Sequence, residues 1–223
     1  MFKIWKGMTG LKISHFVFKR YLLLCAGLAI MAFGVAFSIK ASLGTSPISS
    51  VPYVVSLFAP LTVGTATIVM HCVFILLQIL ILRRQYHPIQ LMQLPVAVFF
   101  GYLTDFGVWA VRGIRCDTYW QQWIVCLIGI LLVAAGVSLE VKAGVVVLAG
   151  EGVVLAICKV LPVKFGYMKV GFDVTLVVTA CILSLVFTGR LQGVREGTVA
   201  AALMVGLIAK QFGKLLAKWE SEK

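Results

Sequence analysis

Lys40-Ala41-Ser42-Leu43-Gly44-Thr45-Ser46-Pro47-Ile48-Ser49-Ser50 is the stretch on which the fold turns. Ser followed by Pro is a helix start: the hydroxyl serves early amides, and proline takes the first turn, where its missing N–H costs nothing. A helix therefore begins at Pro47. Its apolar run ends near residue 59, and at 1.5 Å per residue a dozen residues cover about 18 Å, short of the roughly 30 Å of a hydrocarbon core. With small and polar residues before it (Gly44, Thr45, Ser46), this piece reads as a re-entrant half-helix whose irregular lead-in is shielded by protein. A second short apolar piece, 145–158, has Gly144, Gly150, Glu151 and Gly152 about it and reads the same way.

The rest of the chain agrees with a membrane setting. Of 223 residues, 61% are hydrophobic and 13% charged, with a mean hydropathy of +1.03, too little polar side chain to cover a water-facing surface. The apolar runs are long rather than alternating, which selects helices over a closed barrel. Spans are expected near 21–39, 62–82, 89–111, 120–140, 167–188 and 197–214. The class is an all-α polytopic membrane protein with about six transmembrane helices and two re-entrant half-helices. The first run lacks a small-residue cleavage site, so it reads as an uncleaved helix behind a basic cytoplasmic tail.

Charge orients this layout. With both short pieces re-entrant, 15 of the 20 Lys and Arg fall on one side, and Lys40, Arg112, Arg115, Arg190 and Arg195 on the other. That asymmetry puts both termini in the cytoplasm. The net charge of +12 sits at the ends of apolar runs, where it matches anionic lipid head groups on the cytoplasmic face rather than nucleic acid. The six cysteines are scattered without a CxxC pair, and no HExxH, GxSxG or Walker A signature is present, so no metal, cofactor or enzymatic activity is expected.

An internal repeat organises the chain. At an offset of 102 residues, Gly34-Val35-Ala36-Phe37-Ser38-Ile39-Lys40-Ala41 lies over Gly136-Val137-Ser138-Leu139-Glu140-Val141-Lys142-Ala143, Gly27 over Gly129, Gly64 over Gly166 and His71 over Asp173. With a small shift, the segment from Gly101 to Gly107 faces that from Gly206 to Gly213. Each copy is span, half-helix, span, span. Three crossings is an odd number, so the copies enter the membrane from opposite sides, as inverted-topology repeats. The divisions are a basic tail (1–19), repeat 1 (20–117), repeat 2 (118–216) and a C-terminal tail (217–223).

Candidate site residues follow from what a membrane interior tolerates. The start of the first half-helix offers free amides and a positive dipole end, joined by Thr45, Ser46 and Ser49 hydroxyls and the charge of Lys40, a combination that suits an anion. Glu151, near the equivalent of Ser49, needs a cationic partner. Asp105 and Asp173 are intramembrane carboxylates for coupling or ion pairing. Lys169 precedes Asp173 by one helical turn. For His71, a hydrogen bond to a backbone carbonyl is the commoner role, a proton relay the alternative.

The run from Ile39 to Pro47, Leu61-Thr62-Val63-Gly64-Thr65, Gly101-Tyr102-Leu103-Thr104-Asp105-Phe106, Lys169-Val170-Gly171-Phe172-Asp173 and Arg195-Glu196-Gly197-Thr198-Val199 resemble, in this order, the YczE/YitT-type bacterial integral membrane proteins. The resemblance spans about residues 20–213. It implies a multi-pass protein of a bacterial plasma membrane, in a family suspected of transport. Val145-Val146-Val147 departs from the Leu-Gly-x-x-Pro start that the repeat suggests for the second half-helix. The expected function is a secondary transporter or facilitator of a small polar solute, anionic if the helix end binds it, with a site at the repeat interface. The alternative is a non-transporting membrane partner, such as an assembly factor or a substrate-binding subunit. Self-association into a homo-oligomer is compatible with either.

Overall fold

The computed structural model describes residues 10–221, with side chains from 17 to 216. The outer part of the expected basic tail, residues 1–9, and the last two residues lie outside this range. Eight α-helices follow in order: α1 (Gly10–Ala41), α2 (Pro47–Phe58), α3 (Val63–Leu82), α4 (Gln93–Ala110), α5 (Tyr119–Ala143), α6 (Ala149–Val160), α7 (Phe165–Thr188) and α8 (Glu196–Ser221). Two short 3₁₀ turns, Arg83–Gln85 and Pro88–Met92, join α3 to α4. Among the described residues six segments are long and apolar enough to cross a membrane: Val17–Ala41, Val63–Gln85, Pro88–Ala110, Tyr119–Ala143, Phe165–Thr188 and Glu196–Leu216. The protein is thus a polytopic helical membrane protein. The segment from Gly10, read as tail, is already helical.

The two 12-residue helices are the half-helices. Ile48 at the start of α2 abuts Gly150 at the start of α6, so the two N-termini meet. From there each helix runs to its own face. Phe58 stacks on Phe187 near the end of α7 at 4.4 Å, and Lys159 Nζ donates to the Gln85 carbonyl, just past the end of α3, at 3.5 Å. Each half-helix packs on the middle span of the other repeat, α2 on α7 and α6 on α3.

The axis relating the repeats passes through the crossing of α1 and α5. A Cβ on Gly136 would stand 2.6 Å from the Gly27 carbonyl, and one on Gly129 would stand 2.8 Å from that of Gly34. The 102-residue offset carries Gly27 onto Gly129 and Gly34 onto Gly136, so it exchanges these two contacts with each other. The missing side chains bring two backbones into contact, the means by which helices associate in lipid. Around this crossing α4 packs on α1 as α8 packs on α5.

The symmetry breaks at one interface. α3 lies tightly along α4: Gly64 is pressed against the Gly101 carbonyl, while Thr62 Oγ1 and the Gly64 amide donate to Asp105 at 2.6 and 2.7 Å. The corresponding α7 and α8 barely touch, and Gly166, Gly206, Gly171 and Gly213 have open space where a Cβ would stand. The charges at the two interfaces differ. In the Gly101/Gly206 register Lys210 replaces Asp105, and Lys164 stands at the N-cap position of α7, without a cap bond, where Thr62 caps α3. A carboxylate at a helix N-terminus attracts; a second lysine repels.

Candidate functional site

A cavity of about 280 Å³ lies where the half-helices meet, between the two repeats. On the α2 side, Ser46 holds the N-cap position and Pro47 the first helical one, but the Ser46 hydroxyl bonds no early amide: its Oγ donates to Ser49 Oγ at 3.2 Å, and both residues are buried. Pro52, inside α2, has no N–H to return to the Ile48 carbonyl, which leaves that acceptor near the helix start.

On the α6 side, Gly144 ends α5 in the left-handed conformation (φ 55°) and turns the chain back into the membrane. Glu140, fully buried, accepts the Leu148 amide at 2.7 Å and so places a carboxylate at the start of α6. Gln78 of α3 secures the same end from behind, donating to the Ala149 carbonyl at 3.1 Å and to Gln93 at 2.9 Å. Glu151, in the first turn of α6, faces the cavity. The α7 wall contributes Lys169 and Asp173, paired at 2.7 Å. From α3 come Thr67 and His71. The imidazole is 1% exposed, lies edge-on to Phe74 and Phe100, and its Nδ1 has no partner. Met31, Val35, Met70, Phe100, Val133 and Val137 form an apolar wall.

The cavity brings together Ser46, Ser49, Glu151, Lys169 and Asp173 of the residues picked from sequence, and leaves out three. Lys40 turns outward and donates to the Arg112 carbonyl at 2.9 Å. Thr45 is buried in the lead-in loop, its amide directed to the Gly193 carbonyl at 3.4 Å. Asp105 caps α3. One cavity residue escaped sequence reasoning. Glu140 looked like the end of a span, although its place over Ser38 in the repeat marks an acid inserted into an apolar helix. His71 lacks the backbone carbonyl expected to hold it.

Chemically, the site joins two positive helix ends, one ammonium, three carboxylates and a buried imidazole beside an apolar wall. It can coordinate a small solute with both polar and apolar parts. Among the described residues no group of three or more His, Cys, Asp or Glu side chains is arranged to hold a metal ion.

No curated protein and no solved structure matches the chain. The matching family model does not bear the YczE/YitT name, so that kinship rests on the motifs alone. That model covers residues 18–214, from the first span to the last, and by it the chain belongs to a family of unknown function, DUF6198.

Proposed function

We propose that the protein is a secondary transporter or facilitator that carries a small polar solute through the cavity between its repeats. One observation carries this reading: a charged cavity at the meeting point of two half-helices is closed between α3 and α4 and open between α7 and α8. Inverted repeats that hold two different packings are what alternating access requires, because exchanging the packings moves the opening to the other face. With the termini in the cytoplasm of a bacterial cell, the present arrangement faces inward. Asp105 then holds the outer side shut, and Glu151 and the Lys169–Asp173 pair supply the charge that a solute or coupling ion displaces. On this reading the solute crosses unchanged and the chain is not an enzyme.

The test is flux into liposomes containing this chain alone, screened with small organic anions, cations and amino acids. In a variant lacking the native cysteines, Thr62→Cys with Asp105→Cys replaces a 2.6 Å contact with a disulfide between α3 and α4. Flux should stop on oxidation and return on reduction. Full flux through the cross-linked protein would refute alternating closure, and no flux of any solute would refute transport. A second reading, a non-transporting membrane partner, is favoured by the uncovered glycines of α7 and α8, which would admit another helix. A stoichiometric membrane protein retained through gentle purification would support it.

A further inference from the structure

We infer that the solute is a zwitterion of the neutral α-amino-acid type, its carboxylate seated at the start of α2 and its ammonium at Glu151. This rests on the cavity being the solute site and adds the chemical class.

The repeat supplies the comparison. At the offset of 102, Ser38 corresponds to Glu140, Ser46 to Leu148, Ile48 to Gly150 and Ser49 to Glu151. At α6 the protein fills the helix end itself, with Glu140 on the Leu148 amide. At α2 the equivalent residue is Ser38, whose hydroxyl turns back to the Gly34 carbonyl at 3.0 Å. Among the described residues no carboxylate hydrogen-bonds to the start of α2. Its dipole end and the Ser46 and Ser49 hydroxyls instead face the cavity. One half-helix carries its own anion; the other presents the same kind of end to the solute.

A second, independent feature also calls for a ligand. The His71 side chain lines this cavity, and its buried Nδ1 has no partner, a state unfavourable for a polar atom until something bonds it.

Charge then selects between ligand classes. The α6 end offsets Glu140, and Lys169, paired with Asp173 and also acting on Glu151, balances one of those two carboxylates, which leaves the positive α2 end and one negative charge beside Glu151. Because Ile48 and Gly150 touch, these two lie close together, as the charges of an α-amino acid do. A simple anion would face Glu151 without compensation; a simple cation would leave the α2 end and His71 unfilled. The apolar wall suits an aliphatic side chain.

Calorimetry on the purified protein with alanine, leucine and methionine, the amines that lack their carboxylates and the acids that lack their ammonium tests this directly. At least one amino acid should bind, with its single-charge analogues at least tenfold weaker. Ser49→Ala should weaken that amino acid about tenfold, as loss of one hydrogen bond to a charged group does. Ser38→Glu, which gives α2 an internal carboxylate, should abolish amino-acid binding and favour the amine, with thermal melting verifying that the variant is folded. An amine or acid that binds as tightly as its amino acid, wild-type affinity in both variants, or no amino-acid binding by folded protein would overturn the assignment. Amino-acid binding without flux would remove transport and keep the zwitterion site; flux of a simple ion without amino-acid binding would do the reverse.

Discussion

Asp105→Ala removes the one carboxylate that ties α4 to the start of α3. Two hydrogen bonds are lost, from Thr62 Oγ1 at 2.6 Å and from the Gly64 amide at 2.7 Å, together with an anion at a helix N-terminus. Hydrogen bonds to charged groups are worth about 1.5–3 kcal/mol each when shielded. Asp105 is half-buried, so about 2–3 kcal/mol for the whole arrangement is the reasonable figure. If those bonds hold α3 against α4 in only one of two states, their loss moves the equilibrium towards separation by a factor of about 30 to 150. The assay is labelling of Ser49→Cys, in a variant without native cysteines, by a membrane-impermeant thiol reagent added from the side opposite the termini. The labelling rate should rise at least tenfold in Asp105→Ala. A lower melting temperature with unchanged labelling would refute the reasoning, because Asp105 would then be a helix cap and no gate.

Three further outcomes follow from the same geometry. Gly64→Leu should prevent stable folding, since even a Cβ there collides with the Gly101 carbonyl, whereas Gly206→Leu meets open space and should melt like the wild type yet lose flux; thermal melts beside liposome flux separate the two. Glu140→Ala strands the buried Leu148 amide and should destabilise the protein by about 1–3 kcal/mol, while Glu140→Gln keeps an acceptor and should recover most of that in a denaturant or thermal series. Lys210→Asp gives α8 the carboxylate that α4 has, so cysteines placed at Gly166 and Gly206 should cross-link faster than with Lys210 retained; an unchanged rate would contradict the electrostatic account of the open interface.

What could be read from sequence was what short-range chemistry decides. Pro47 marks the start of α2 because a first-turn proline is a local signal, although the Ser46 hydroxyl turns to Ser49 and not to an early amide, and Lys169 and Asp173 pair because one helical turn separates them. The start of α6 was read four residues early: Val145-Val146-Val147 is as apolar as a helix, yet it follows a left-handed Gly144 and runs on to Leu148, whose amide Glu140 holds from the preceding span. Lys40 sits beside the right loop, but its ammonium follows the carbonyl of Arg112, 72 residues away. An unpartnered His71 cannot be recognised from any local pattern, because its isolation depends on Phe74, Phe100 and the cavity together.

The positions where the repeats differ say more about function than those where they agree. The glycines at the α1–α5 crossing recur in both copies because both backbones must approach there, and any fold built on this axis needs them. The exchanges of Asp105 for Lys210, Ser38 for Glu140 and Ser49 for Glu151 are not demanded by packing. The first biases which pair of spans is closed; the other two make one half-helix end self-sufficient and leave its counterpart open to the cavity. A pair of states useful for transport must lie within a few kcal/mol of each other. A single carboxylate cap is of that size, so the bias towards the present packing is small enough for a bound solute to reverse.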